Sequence, residues 1–173
     1  MTTTKSNREF ELKFRARPQD LARFKKAVNA AAGNRRVWPE RQLLTQYFDT
    51  ESFDLQKSCV SVRLRKSANK TVQTVKAAGS GNAGIMDRLE WEQTVTGEAL
   101  DLDALPDEAR QAMGGISADA LQPIMDVSIR RQTMMIRRAN PLGPDLVIEA
   151  AADKGSVRVG EQIDEFVECE LEL

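Results

Sequence analysis

Charged and apolar residues alternate strictly from Glu9 through Arg15. A β-strand repeats every second residue. Glu9, Glu11, Lys13 and Arg15 therefore share one face, and Phe10, Leu12 and Phe14 share the other. The same period returns along the chain. Val60, Val62 and Leu64 alternate with Ser61, Arg63 and Arg65. In the stretch 71–77, Val72, Thr74 and Lys76 share a face. In 85–95, Arg88, Glu90 and Glu92 oppose Leu89 and Trp91. The chain closes on Glu168, Glu170 and Glu172, set against Cys169, Leu171 and Leu173.

A helical period appears after the first strand. Pro18 stands in a first turn, Leu21, Phe24 and Val28 form a stripe, and Gly33 supplies a stop. The stretch 35–49 reads as extended, with Pro39 marking an irregularity, and leads into a short turn or helix over 51–57. Residues 97–121 read as helix in two pieces broken at Gly114-Gly115. A long strand of imperfect alternation follows over 127–138, then a strand over 145–152. Lys154-Gly155 reads as a turn and 156–159 as a short strand. The glycine-rich piece 79–84 lacks the Lys-Ser/Thr of a phosphate-binding loop and reads as a flexible connection. Strands outnumber helices and their connections are short. This pattern predicts an α+β fold with a mainly antiparallel sheet, able to close into a barrel with the helices packed outside.

Composition narrows the chemistry. The 173 residues fit one domain, 1–173, with 41% hydrophobic and 29% charged residues. A net charge of -1 and a pI near 5.7 argue against a general nucleic-acid or acidic-membrane binder. The polar start, 1–7, predicts no signal peptide, and no apolar run is long enough to cross a bilayer. Two cysteines, Cys59 and Cys169, make no disulfide framework, so a reducing cytoplasm is the expected location. Histidine is absent. That excludes Ser-His-Asp and Cys-His catalysis and leaves only oxygen-held metals such as Mg²⁺, Mn²⁺ or Ca²⁺.

Within this near-neutral chain, charge is sorted by strand. Acids recur at every second position in the first and last strands and in the one around Glu149 and Asp153. Cations occupy the strands between: Arg63, Arg65, Lys76, Arg88 and Arg131. Any one of these strands reads equally well as a sheet with one solvated face. Tyr47 and Asp49 read as structural. Taken together, inward-turned polar faces would line a lumen with two halves of opposite sign. One half suits an oxygen-held metal, and the other suits a polyanion gripped by guanidinium forks.

Glu9-x-Glu11-x-Lys13 resembles the signature of the CYTH family, also called triphosphate tunnel metalloenzymes. Tyr47-Phe48-Asp49-Thr50, Val62-Arg63-Leu64-Arg65, Thr74-Val75-Lys76 and Arg88-x-Glu90-x-Glu92 resemble its successive motifs. So do Arg131, Asp153-x-Gly155 and the closing Glu168-x-Glu170-x-Glu172. The resemblance implies an eight-stranded closed barrel whose lumen takes a triphosphate. It implies Mg²⁺ or Mn²⁺ on Glu9, Glu11, Asp153, Glu168 and Glu170, and phosphates on Lys13, Arg63, Arg65, Lys76, Arg88 and Arg131. Glu172 shares the face of Glu168 without being ranked against it. Glu90 and Glu92 either support the cations or touch a second metal, and Glu149 is a lesser candidate.

Glu168, Glu170 and Lys13 are the expected catalytic groups, with one of the glutamates accepting a proton or a metal-bound hydroxide serving in its place. The expected reaction is hydrolysis of inorganic triphosphate to pyrophosphate and phosphate. Class IV-type cyclisation of ATP and non-catalytic binding of polyphosphate are the alternatives. No base-binding motif is found and aromatic residues make up only 5% of the chain, which favours the inorganic substrate. The partner is then a small triphosphate or polyphosphate, with no nucleic acid and no membrane. In this family a helical phosphate-binding domain often follows, so the chain is also expected to fit as the amino-terminal part of a longer protein.

Overall fold

The structure, a computed structural model, describes residues 8–33, 37–77, 85–141 and 143–173, without the side chains of residues 8, 9 and 85–87. The described elements run β1 (Arg8–Arg15), α1 (Asp20–Ala31), β2 (Glu40–Asp49), α2 (Asp54–Lys57), β3 (Val60–Ser67), β4 (Lys70–Ala77), β5 (Ile85–Val95), α3 (Asp107–Ala112), β6 (Gln122–Arg138), β7 (Leu146–Val159) and β8 (Gln162–Glu172). All eight strand pairings are antiparallel, in the order β1-β5-β4-β3-β2-β6-β7-β8. β1 pairs with β5 on one side and β8 on the other, so the ladder of described strands closes on itself.

The apolar faces lie outside this ring. Helix α1 buries Leu21 and Val28 on the outer faces of β6, β7 and β8, against Met134, Ile136, Ala150, Ala152 and Cys169. Phe24 meets Trp38 edge to face at 6.0 Å. On the opposite side Leu102, Leu105, Ala109 and Met113 cover Val60, Val62, Val75 and Trp91 of β3, β4 and β5. Burying both outer faces frees the inner faces to be polar. Cys169 faces outward as its parity with Leu171 requires, and among the described residues no helix is long and apolar enough to cross a membrane.

Three expectations about elements are corrected. Residues 97–121 hold only the 3₁₀ turns Leu102–Ala104 and Ala118–Ala120 around the six-residue α3. Pro106 and the left-handed Gly114 (φ 70°) and Gly115 (φ 72°) interrupt any longer helix. Lys154-Gly155 is not a turn, because β7 runs unbroken through it for 14 residues. Gly155 serves close approach instead: a Cβ there would lie 2.6 Å from both Phe166 Cζ and the Ser128 carbonyl oxygen. The last strand begins at Gln162, well before Glu168, and its hairpin turn uses Gly160 at φ 58°. The glycine-rich connection 79–84 lies outside the described residues.

Candidate functional site

The lumen is a cavity of about 650 Å³. Its walls follow from strand parity. On β1, Glu11 and Lys13 face in; on β8, Glu168, Glu170 and Glu172 do; on β7, Glu149 and Asp153 do. β3 and β4 present Arg63, Arg65 and Lys76, β5 presents Glu90 and Glu92, and β6 presents Arg131.

Two ion clusters form. In the first, the Lys13 ammonium lies 2.7 Å from Glu170, 3.3 Å from Glu11 and 3.7 Å from Glu168. Arg131 forks onto Asp153, with Nε donating at 3.0 Å and Nη2 at 2.6 Å, and its Nη2 also donates to Glu170. Asp153 is 1% exposed, and Glu11 and Glu170 are also buried. In the second cluster, Arg63 lies 3.5 Å from Glu90 and 3.9 Å from Glu92, and Lys76 lies 3.3 Å from Glu90.

Proton affinities follow these surroundings. Burial favours neutral Lys13, but Glu170, Glu11 and Glu168 outweigh it and hold the ammonium above the usual lysine range. Burial raises Glu168, and raises Asp153 against the pull of Arg131. Glu170 is buried as well, yet Arg131 and Lys13 together hold it below the carboxylate range. Arg65 is the outlier. Burial, then the neighbouring Arg63 and Arg131, push it down to about 10. Its Nε donates to Thr45 Oγ1 at 3.1 Å, and among the described residues no carboxylate lies within ion-pair distance. Arg63 Nε is buried with no hydrogen-bond partner.

Among the described residues, no three acids stand in a ready-made metal-binding arrangement. The donor set nonetheless fits an oxygen-held divalent ion. Three carboxylates, from Glu11, Glu168 and Glu170, already converge on one cation, the Lys13 ammonium.

The fold gathers most of the sequence-predicted residues. Glu11, Lys13, Arg63, Arg65, Lys76, Arg131, Glu168, Glu170 and Glu172 line the cavity, as do Glu90, Glu92 and Glu149. Asp153 joins them through Arg131. Arg88 is not among the described lining residues; it pairs in register with Glu9, whose side chain lies outside the described residues. Asp49 is structural, as expected. It is 2% exposed and accepts from the backbone amides of Thr50, Leu55 and Gln56 at 2.8, 2.9 and 3.0 Å, fixing the start of α2.

Sequence reasoning missed an apolar sector. Tyr47, Met125, Val127, Ile129, Val157 and Phe166 form one wall of the same cavity. Parity with Arg131 on β6 and with Glu168 on β8 was the available signal.

A family model, the CYTH domain, matches residues 7–173. Solved structures share the fold at low identity. A putative adenylate cyclase from Bacillus halodurans is 18% identical, with 94% of this chain and 79% of that chain covered, at a TM-score of 0.60. A putative adenylyl cyclase from Hippeastrum, described as having a dominant triphosphatase activity, is 17% identical over 95% and 79%, at 0.59. A putative adenylate cyclase from Vibrio parahaemolyticus is 14% identical over 98% and 77%, at 0.52.

Proposed function

Since this chain belongs to the CYTH family, we propose that it hydrolyses inorganic triphosphate to pyrophosphate and phosphate with Mg²⁺ or Mn²⁺. The observation that carries this reading is Arg65. A partly buried guanidinium crowded by two others, with a hydroxyl as its hydrogen-bond partner, is a standing site for an anion of high charge. The acid cluster across the lumen supplies the complementary cation site.

In this reading Arg63, Arg65, Lys76 and Arg131 grip the phosphate oxygens and stabilise charge on the transferring phosphoryl group. Arg88 is assigned to the phosphates by its motif alone. Glu11, Asp153, Glu168 and Glu170, with Glu9 by its motif alone, would hold the divalent ion, which would supply charge neutralisation at the phosphates and acidification of the attacking water. Glu168, whose proton affinity burial raises, is placed to take the proton from the attacking water, with Glu170 beside it. Lys13 bridges the acids and the phosphates and offsets charge on departing pyrophosphate. The two free cysteines, Cys59 and Cys169, support a reducing compartment such as the cytoplasm for this reaction.

The apolar wall favours a second reading, an organic triphosphate such as ATP, because Tyr47, Val127, Ile129 and Phe166 offer contact area that inorganic phosphate does not use. One assay separates the readings: phosphate, pyrophosphate and cyclic nucleotide released from tripolyphosphate and from ATP, wild type beside Glu11→Gln. Metal-dependent phosphate release from tripolyphosphate that drops at least a hundredfold in the variant is the expected result. Pyrophosphate and cyclic nucleotide from ATP would move the assignment to a cyclase. Tight binding without turnover would leave a polyphosphate-binding module.

A further inference from the structure

A second basic cavity, of about 580 Å³, opens on the wall of the barrel where the chain leaves β1. Arg15, Arg17, Arg130 and Lys154 line it, with the hydroxyls of Ser128 and Ser156 between them and Glu165 as its acid. Its cations are less paired than those of the lumen, where Lys13, Arg63, Lys76 and Arg131 have carboxylate partners and Arg65 donates to Thr45 instead. In the outer cavity only Arg17 has one, Asp20, at 2.8 Å. Among the described residues no carboxylate lies within ion-pair distance of Arg15, Arg130 or Lys154. Arg130 and Lys154 are register partners on adjacent strands, so like charges stand side by side. The excess extends further: burial, then the nearby Lys154, depress the proton affinity of Lys25. Ser128 Oγ accepts from Gln42 Nε2 at 2.8 Å, which leaves its own proton free to donate.

Three residues, Arg15, Glu165 and Phe166, line both cavities. The outer trough therefore adjoins the lumen at the Arg15 end of β1. We propose that this trough is a second anion site, which takes phosphate groups of a polyphosphate chain too long for the lumen. Arg130, Lys154 and Arg17 contact phosphates lying outside the barrel, and Arg15 stands at the junction. The trough as an anion site stands on its own charges. Its continuity with a chain held in the lumen rests on the function proposed above.

The test measures binding of tripolyphosphate and of long-chain polyphosphate to wild type, to Arg130→Ala/Lys154→Ala, and to a control, Arg23→Ala/Lys26→Ala, that removes two exposed cations of α1. Long-chain affinity should fall about tenfold in the trough variant, with tripolyphosphate affinity unchanged and the control like wild type. Glu165→Gln should strengthen long-chain binding, a gain that a folding defect does not produce. Equal long-chain affinity in wild type and the trough variant, or an equal loss in the control, overturns the proposal. Saturating tripolyphosphate that weakens long-chain binding shows one chain occupying both cavities. Long-chain binding unaffected by it, yet still lost in the trough variant, supports a separate site for another phosphate-bearing ligand. Failure of tripolyphosphate to bind at all, with the trough variant still impaired, removes the lumen reading and keeps the trough.

Discussion

The two ion clusters of the lumen are built from the same residue types and are unbalanced in opposite senses. Around Lys13 and Arg131, four carboxylates (Glu11, Asp153, Glu168, Glu170) meet two cations through pairs that include Lys13 with Glu170 at 2.7 Å and Arg131 with Asp153 at 2.6 Å, and three of the four, Glu11, Asp153 and Glu170, are buried. Around Arg63, Arg65 and Lys76, the ion pairs are longer, 3.3 to 3.9 Å, and the Glu92 side chain is 47% exposed. The first cluster is an acid site held together by its own cations. The second is a cation site with a carboxylate to spare only for two of its three members. A triphosphate carrying a divalent ion complements both. The difference predicts unequal costs of breaking the two clusters, because losing Arg131 leaves two buried carboxylates without its fork, whereas losing Arg63 leaves Glu90 still paired with Lys76.

The largest effect should come from Arg131→Met. It strands Asp153, 1% exposed, and Glu170 as buried carboxylates without their fork. Breaking one partner out of a buried pair costs about 3–5 kcal/mol. Urea unfolding should show a loss of this size, seen as a lowered midpoint at unchanged slope. A variant within about 0.5 kcal/mol of wild type would erase the contrast between the clusters.

Much of this arrangement could be read before the fold was known, for a physical reason. Strand parity is local, so Glu11 and Lys13, Arg63 and Arg65, and Glu168 and Glu170 fall on shared faces whatever the rest of the chain does. Which face turns inward is not local. It depends on α1 and the 97–121 segment covering the outer faces. Partner choice was also hidden: Arg131 meets Asp153 because β6 and β7 pair at that register. Gly155 looked like a turn because a glycine after Asp-Lys is the usual turn chemistry, whereas its role is to admit the Phe166 ring. Phe166 itself was lost with the first half of β8, whose stretch 162–165 is too polar to look like a buried strand. The imperfect alternation of β6 has the same origin: Val127 and Ile129 face the lumen while Met134 and Ile136 face α1.

Arg63→Met should show the reverse of Arg131→Met. Arg63 Nε has no partner to lose, and removing one of several crowded cations relieves repulsion on Arg65. Folding stability should fall less than in Arg131→Met, since the pairs given up are long and Glu90 keeps Lys76 at 3.3 Å. Triphosphate turnover should fall by about 2–4 kcal/mol of barrier, the scale of a lost electrostatic stabiliser. A loss of stability with turnover intact would invert the assignment of the two clusters.

Glu92→Gln should do least. Its carboxylate is half exposed, lies 3.9 Å from Arg63, and accepts from Thr74 Oγ1 only at 3.4 Å. An exposed pair of this length contributes about 0–1 kcal/mol, and the amide keeps the acceptor for Thr74. Removing the negative charge leaves the cation cluster with a greater excess. Triphosphate affinity should therefore rise slightly, by less than about tenfold, with stability unchanged. Isothermal titration with tripolyphosphate reads this directly. A fall in affinity would mean that Glu92 acts on the ligand side of the site, through a bound cation, rather than as a partner of Arg63.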